Sequence, residues 1–424
     1  MTTTGQPSLP DRADGSTPAS DSSSHRGLHA VLAASNFAQG LGAFAVIGAL
    51  ASLIQELHVP LHQAGLVVSL YAAAYAIASP LLVAWSGRLG RRTVLAAGLL
   101  LVAAGAVVGA TASSFAVLLA GRALMAIGGG LVTPVAGAIG VATSTPKTRG
   151  RVLATVFAGL TIAQALGLPI GAWLVDVSGF RATFWLIAVA AIAAALLVLR
   201  FVPRQIATNA AGLKALASVL VDPRLLLALS FIVFFIGGNF VFLTYLTPFL
   251  EGRYQLQGSA LAAALLLYGG GAVAGNALGG RLADRLGPVK TLLILCAVQV
   301  MVLPVMSLLH LPLPIALVLL AIWSVFAWSV HATQQARLVS LDPPRAPVLL
   351  ALHSSGIYIG ASAGSAIAGH VLDRFGDRWL GPAGVVLMLL AAATLGLVAL
   401  TTRRRLVPQI APHQGLRAGP TPHP

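Results

Sequence analysis

The chain has 424 residues, 57% hydrophobic and only 9% charged, with a mean hydropathy of +0.89 and a formal net charge of +15. A soluble domain carries about a quarter charged residues, so this composition excludes an ordinary water-soluble fold. The one cysteine, Cys296, lies inside an apolar run and excludes an internal disulfide and a cysteine metal cluster.

In chain order, residues 1–28 are expected to form a disordered cytoplasmic tail. No basic stretch leads into a short apolar run with a small-residue cleavage site, so a cleaved signal peptide is not expected. Crossing the hydrocarbon takes about 20 apolar residues. Twelve such segments follow, at roughly 29–52, 63–85, 93–111, 115–140, 150–173, 181–201, 224–248, 259–280, 290–310, 314–337, 346–370 and 380–401. They are continuous runs rather than alternating ten-residue strands, which argues against a membrane β-barrel.

The predicted fold class is therefore an all-α integral membrane protein. Its predicted units are an N-terminal six-helix half (29–201), a cytoplasmic linker (202–223), a C-terminal six-helix half (224–401) and a second disordered cytoplasmic tail (402–424). In the linker, Pro203, Asn209, Lys214, Asp222 and Pro223 predict a polar connection with one short surface helix.

A strongly basic chain is also the profile of a nucleic-acid binder, but here the cations sit in short turns between apolar runs. With the N-terminus inside, 21 Lys and Arg fall on inner turns and tails. Only Arg181, Arg253, Arg374 and Arg378 fall on outer turns, and Arg122 lies within a span. That asymmetry predicts both termini in the cytoplasm and an even number of spans in a multi-pass protein of the cell membrane.

A basic turn recurs six segments apart. Arg88-Leu89-Gly90-Arg91-Arg92 follows the second span, and Gly280-Arg281-Leu282-Ala283-Asp284-Arg285-Leu286-Gly287 follows the eighth. The recurrence suggests two related halves that rock against each other around a central site, the organisation of a transporter. In span four, Arg122 precedes Gly128-Gly129-Gly130. A guanidinium within the bilayer is costly, so it should face a cavity or a partner; a structural arginine bonded to backbone is the other reading. Span five carries Gly159, Gly167, Pro169 and Gly171, small residues that permit close helix approach and a proline that bends the helix.

All eleven acids fall in tails, turns or helix ends. A proton-driven carrier needs a titratable group that alternates between the two sides, so the candidates are His353 and His331, with Arg122 and Asp284 beside them. Histidine titrates near neutral pH; either histidine can instead be an uncharged hydrogen-bonding residue. Helix position gives the substrate-cavity candidates Asn36, Gln39, Tyr75, Gln164, Asn239, Tyr245, Asn276, Trp328, Gln335 and Tyr358, each of which can alternatively bond helix to helix. Tyr71 and Tyr75, spaced i,i+4, share one helix face. No Walker A sequence and no His-Glu-x-x-His site occur. The chain is expected to be no enzyme, to use no cofactor or metal and to bind no nucleic acid.

Taken together, these motifs resemble the major facilitator superfamily, in particular its drug:proton antiporter-like efflux branch and the arabinose-efflux-permease-like subfamily. The resemblance implies that Arg88, Gly90, Arg91, Arg92, Gly280, Asp284, Arg285 and Gly287 form gating motifs at inner helix ends. Gly87 stands where the family usually has an acid, so only the second copy keeps its acid, Asp284. It implies that the span-five glycines and proline are an exporter motif. The chain departs from relatives at Gly42-Ala43-Phe44, where Thr-Glu-Phe is common, at Met125, where Gln is usual, and at His353, where Asn is common. The expected function is secondary active efflux of a small organic solute, a drug, sugar or related metabolite, by alternating access in exchange for protons. The expected partners are that solute, protons and membrane lipid, with the chain a monomer. Two alternatives stay open: a gradient-independent facilitator or importer, and a membrane receptor or sensor on a transporter fold.

Overall fold

The computed structural model describes residues 20–86, 89–145, 148–206 and 213–406. Among them every regular element is helical. The N-terminal set comprises α1 (Ser20–Gly48), α2 (Leu50–Glu56), α3 (Leu61–Ala64), α4 (Leu66–Trp85), α5 (Arg91–Ala110), α6 (Phe115–Ala142) and α7 (Arg149–Phe201). A short helix on the connection, α8 (Leu213–Leu220), leads to the C-terminal set. This is α9 (Pro223–Leu243), α10 (Leu246–Tyr254), α11 (Gly258–Leu286), α12 (Pro288–Leu308), α13 (Leu313–Trp328), α14 (Val330–Leu341), α15 (Ala346–Phe375) and α16 (Leu380–Leu406).

Helix is the natural outcome here, because an apolar segment in lipid has no water to satisfy its peptide groups and must satisfy them within itself. Among the described residues, ten helical stretches are long and apolar enough to cross a membrane. Their starts are set by local chemistry. The Ser114 hydroxyl accepts from the Val117 amide at the start of α6. Asp222 accepts from the Arg224 and Leu225 amides, with Pro223 at the first position of α9.

Three boundaries differ from the sequence expectation. Helix α1 begins at Ser20, inside the segment expected as a disordered tail. Helix α16 continues to Leu406 because nothing in Thr401 to Leu406 stops it before Pro408. The remaining tail residues, 1–19 and 407–424, lie outside the described residues. The third is α7, which runs for 53 residues across the expected turn between spans five and six. The chain changes direction there at Gly179 alone (φ 74°), a conformation that a residue without Cβ adopts freely.

Glycine governs how the helices meet. A Cβ on Gly159 would lie 1.8 Å from the Ala33 carbonyl oxygen, and one on Gly171 would lie 2.0 Å from that of Ala45. Helix α7 therefore rests on the backbone of α1. Between the two sets, α7 meets α11 and α4 meets α15. A Cβ on Gly269 would stand 1.9 Å from the Ala165 carbonyl oxygen, and one on Gly65 would stand 2.9 Å from that of Ser365. One apolar core joins both sets. A smaller one, with Val219, Leu225, Leu338, Leu349 and Val398, fastens α8 beneath α9 and α15.

Candidate functional site

The midline of the bundle holds a polar and aromatic tier contributed by four helices. The i,i+4 spacing of Tyr71 and Tyr75 on α4 puts both rings on one face, with centroids 6.4 Å apart. Gln39 of α1 reaches Tyr71 and Tyr358. Its amide donates to the Tyr71 hydroxyl at 3.2 Å and to the Tyr358 hydroxyl at 3.4 Å, and its carbonyl accepts from Thr133 at 3.3 Å. Tyr358, on α15, stacks on Tyr75 with centroids 3.6 Å apart. The N-terminal and C-terminal sets therefore touch here through one stack and one hydrogen bond.

Arg122 lies beside this tier and is fully buried. Its Nε donates to the Val67 carbonyl at 3.0 Å, one terminal nitrogen donates to the Gly42 carbonyl, and the guanidinium lies 4.1 Å from the Tyr71 ring centroid. The second terminal nitrogen has no partner. A charge in such a place is tolerated only with this kind of support. Its backbone contacts fit the structural reading of the residue, and the free nitrogen leaves it one donor to spend.

A second group lies in the C-terminal set. Trp323 donates to Asn239 Oδ1 at 2.9 Å, and the Asn239 amide donates to the Phe235 carbonyl at 3.0 Å, which fills both ends of that side chain. Trp328 donates to the Tyr268 hydroxyl at 3.0 Å and meets Phe44 of α1 edge-on at 5.8 Å. Asn239, Phe240, Tyr268 and Trp328 border a cleft with room for little more than one water. Beyond Trp328 stand His331 and His353, with ring centroids 6.3 Å apart. Neither nitrogen of the fully buried His353 has a partner, nor has Nε2 of His331. Buried polar atoms are nearly always bonded, so this pair is the most conspicuous unspent polar capacity on the midline.

The other candidates are placed differently. Asn36 donates to the Val156 carbonyl at 2.9 Å and so joins α1 to α7. Gln164 and Asn276 are half-buried and Gln335 is exposed; none of the three is drawn into the tier. Tyr245, expected in the cavity, belongs instead to the seam at one end of the bundle. It bonds Gly65 and His62 there, because the bend between α9 and α10 carries it to the helix end. His62, Gly65 and Thr133 were not legible as site residues. Their partners lie on helices distant in sequence, and no spacing rule announces them.

The gating-motif residues sit at the opposite end. Arg88 lies outside the described residues. Arg91 is buried, and Arg92 donates to the Leu199 carbonyl, within its own set. Asp284 and Arg285 are exposed, Gly280 is half-buried, and Gly287 (φ 81°) ends α11. In span five, Gly159 and Gly171 press on α1 as described, Gly167 lies against Phe44, and Pro169 is buried within α7. Among the described residues no three His, Cys, Asp or Glu are grouped to hold a metal.

A bundle of long apolar helices, with polar residues gathered on its midline and its two sets joined toward one end, is the architecture of a multi-pass membrane transporter. The chain belongs to the Major Facilitator Superfamily, whose family model matches residues 32–364. It is 30% identical over 372 residues to a chloramphenicol resistance protein of Streptomyces lividans, covering 85% of this chain and 94% of that one. It is 27% identical over 358 residues to a probable sugar efflux transporter of Mannheimia succiniciproducens, covering 84% and 90%. Among solved structures it is similar to a bacterial homolog of the human lysosomal transporter Spinster, in an inward-facing and unoccupied conformation. That TM-score is 0.73 at 18% identity, covering 92% of this chain and 99% of the other. The chain is thus a secondary transporter of small organic molecules, embedded in lipid, and not an enzyme.

Proposed function

We propose that the protein exports a small organic solute, a drug, sugar or related metabolite, by alternating access in exchange for protons. In this reading α7 counts as two spans on either side of Gly179, and α15 adds a further one. The bundle then has twelve spans in two six-helix halves, with both termini cytoplasmic. The end rich in Arg and Lys faces the cytoplasm, and the seam around Tyr245 faces outward.

The observation that carries this reading is where the two halves touch. Tyr245 with Gly65 and His62, Thr247 with Ile47, and Gly269 with Ala165 join them from the midline to the outer end. At the basic end, Arg92 bonds within its half, and Arg345 bonds Asp222 and Asp342 within the other. That is the contact pattern of a cytoplasm-facing state, waiting to load an outgoing solute. The span-five glycines, resembling an exporter motif, and the efflux and resistance roles in the relatives' names support the direction. His353 and His331, with their unpartnered nitrogens, are the proposed proton carriers. The proposed gating residues Asp284 and Arg285, exposed here, engage when the basic end closes.

One observation favours a second reading. Every acid among the described residues lies near a helix end, so a gradient-independent facilitator needs no further explanation for the missing midline carboxylate.

Counterflow in proteoliposomes, with chloramphenicol and a sugar panel, tests the proposal. Flux should accelerate under an imposed proton gradient, and His353→Asn should uncouple it. Exchange that ignores the gradient would establish the facilitator; an absence of flux with every solute would reject transport by this route.

A further inference from the structure

Two features of the interior bear on what it can hold. The first is the hydrogen-bonding capacity left beside Trp328. Both nitrogens of the fully buried His353 on α15 lack a partner, as does Nε2 of His331 on α14. In a neutral imidazole one nitrogen is an N–H donor and the other a bare acceptor. His353 therefore offers one of each. A group that both donates and accepts, a hydroxyl or a primary amide, can use both. A carboxylate only accepts, and an ammonium or amidinium only donates, so either would leave a buried nitrogen unmatched. The second feature is the sign of the fixed charge. Among the described residues the buried side chains with a formal charge are Arg91, Arg122 and Arg337, and no Asp or Glu is buried. An organic cation would enter without a counter-charge. The tyrosines of the tier, whose ring faces attract cations, are already engaged: Arg122 lies over Tyr71, and Tyr75 stacks on Tyr358.

We propose that the transported solute is an uncharged molecule with an aromatic body and a hydroxyl or amide group, held by that group at His353 and His331 with its body against Trp328. The proposal rests on the transport reading above and names the class of solute that reading leaves open. It gives the two histidines a contact with solute that is separate from any carriage of protons. The surroundings suit such a molecule. The His331 ring lies 5.4 Å from that of Trp328 and 6.3 Å from that of His353, so the polar group and the aromatic wall are adjacent. Phe240, Tyr268 and Trp328 border the cleft, which has room here for little more than one water. Phe44 of α1 covers Trp328 from the N-terminal set at 5.8 Å, so parting of the two sets at the midline uncovers that ring for the solute. A charged molecule of the same shape forfeits one matched hydrogen bond at His353, and the preference for the uncharged one should be about tenfold.

The test uses the full-length protein in nanodiscs at pH 7.5 with no gradient. Three probes of nearly one shape differ in charge: para-fluorinated benzamide is neutral, benzoate is an anion and benzamidine is a cation. Fluorine NMR titrations give the affinity of each, counting only signal that unfluorinated benzamide displaces, so that binding to the basic surface is left out. The benzamide should bind about tenfold more tightly than either charged probe. His353→Phe keeps a ring and removes both nitrogens, and should weaken the benzamide about tenfold. His353→Asn restores a donor and an acceptor, so it should keep the preference for benzamide even though it uncouples the proton gradient. Benzoate or benzamidine binding as tightly as benzamide would overturn the proposal, as would no displaceable binding of any probe or an unchanged benzamide affinity in His353→Phe. The ranking in the unmutated protein decides the matter even where a variant does not fold. A wrong ranking with intact counterflow would remove the solute class alone, whereas counterflow lost with every solute would remove the transport reading whatever the probes do.

Discussion

The Tyr245 hydroxyl joins the N-terminal and C-terminal helix sets by accepting from the Gly65 amide at 3.0 Å and donating to the His62 carbonyl at 2.9 Å. One oxygen thus ties the turn that starts α4 to the end of α9. Gly65 allows the approach, since a Cβ there would stand 2.7 Å from that oxygen. A buried hydrogen bond contributes about 1 kcal/mol net. Tyr245→Phe should therefore weaken the closed seam by about 2 kcal/mol, about thirtyfold in the closed-to-open ratio. The ring stays in place, so total stability should change little. Spin-label distances across the seam would read the shift. An unchanged distribution would mean that the bonds form equally well in the open state.

Two glycine substitutions should act in opposite ways. Gly159 and Gly269 each face a backbone carbonyl at under 2 Å from a would-be Cβ, Ala33 in one case and Ala165 in the other. The first contact lies within the N-terminal half and is needed in every state. Gly159→Ala should lower thermal stability by about 1–3 kcal/mol, the usual range for overpacking. The second contact crosses between the halves. Gly269→Ala should leave thermal stability nearly intact while depleting the state in which α7 and α11 touch. Thermal melts paired with the seam distances separate the two effects. Equal destabilisation by both would show that α7 and α11 never part.

These contrasts mark what was legible in the sequence. The long apolar runs gave the helices away, because lipid forces each segment to satisfy its own backbone. Arg122 also announced itself, since no guanidinium is left unsupported at that depth. The shared face of Tyr71 and Tyr75 follows from helical spacing, but their partner Tyr358 lies on a helix almost 300 residues away, and no periodicity predicts it. Asn36 and Asn239 show a further limit. A polar residue in an apolar run must turn towards protein, yet only coordinates reveal that Val156, Phe235 and Trp323 already fill their bonds. The 3.4 Å contact between His62 Nδ1 on α3 and Asp373 Oδ1 on α15 was hidden for the same reason as Tyr358: it exists only because two distant helix ends meet.

Arg122 carries a prediction that lysine cannot satisfy. Its guanidinium reaches Val67 and Gly42 and lies over the Tyr71 ring at once. A lysine ammonium is a point charge on a flexible stem and does not reproduce that planar fork. Arg122→Lys should reduce solute exchange at least tenfold while the protein still folds. Tyr71→Phe keeps the ring under the charge and loses only the hydroxyl that accepts from Gln39, so it should cost no more than a few-fold. Exchange rates in proteoliposomes, normalised to inserted protein, decide the matter. Wild-type exchange in the lysine variant would show that charge alone suffices.

The last prediction concerns the connection between the halves. Arg345 donates to Asp342 at 2.8 Å, to Asp222 at 3.0 Å and to the Ser218 carbonyl at 3.2 Å, fastening α8 to the starts of α9 and α15. Burial would raise the Asp222 carboxyl, but the Arg345 side chain and the Arg224 and Leu225 amides outweigh it and hold it below the usual range. The Arg345 side chain, opposed by burial and assisted by its own amide, does the same for Asp342. A depressed carboxylate contributes its full stability above the unfolded value of about 3.9 and loses it as pH falls through the depressed one. The melting temperature should therefore be flat from pH 7 to 5 on account of this cluster and fall below about pH 4. Arg345→Gln should flatten part of that acid fall, since it removes the cause of the depression. Asp222→Ala should cost about 1 kcal/mol at neutral pH through the lost helix cap, whereas Asp222→Asn keeps an oxygen for the cap and should cost less. Melting curves from pH 3 to 7 for the four proteins test this. An acid fall of the same size in Arg345→Gln would assign that fall to other carboxylates.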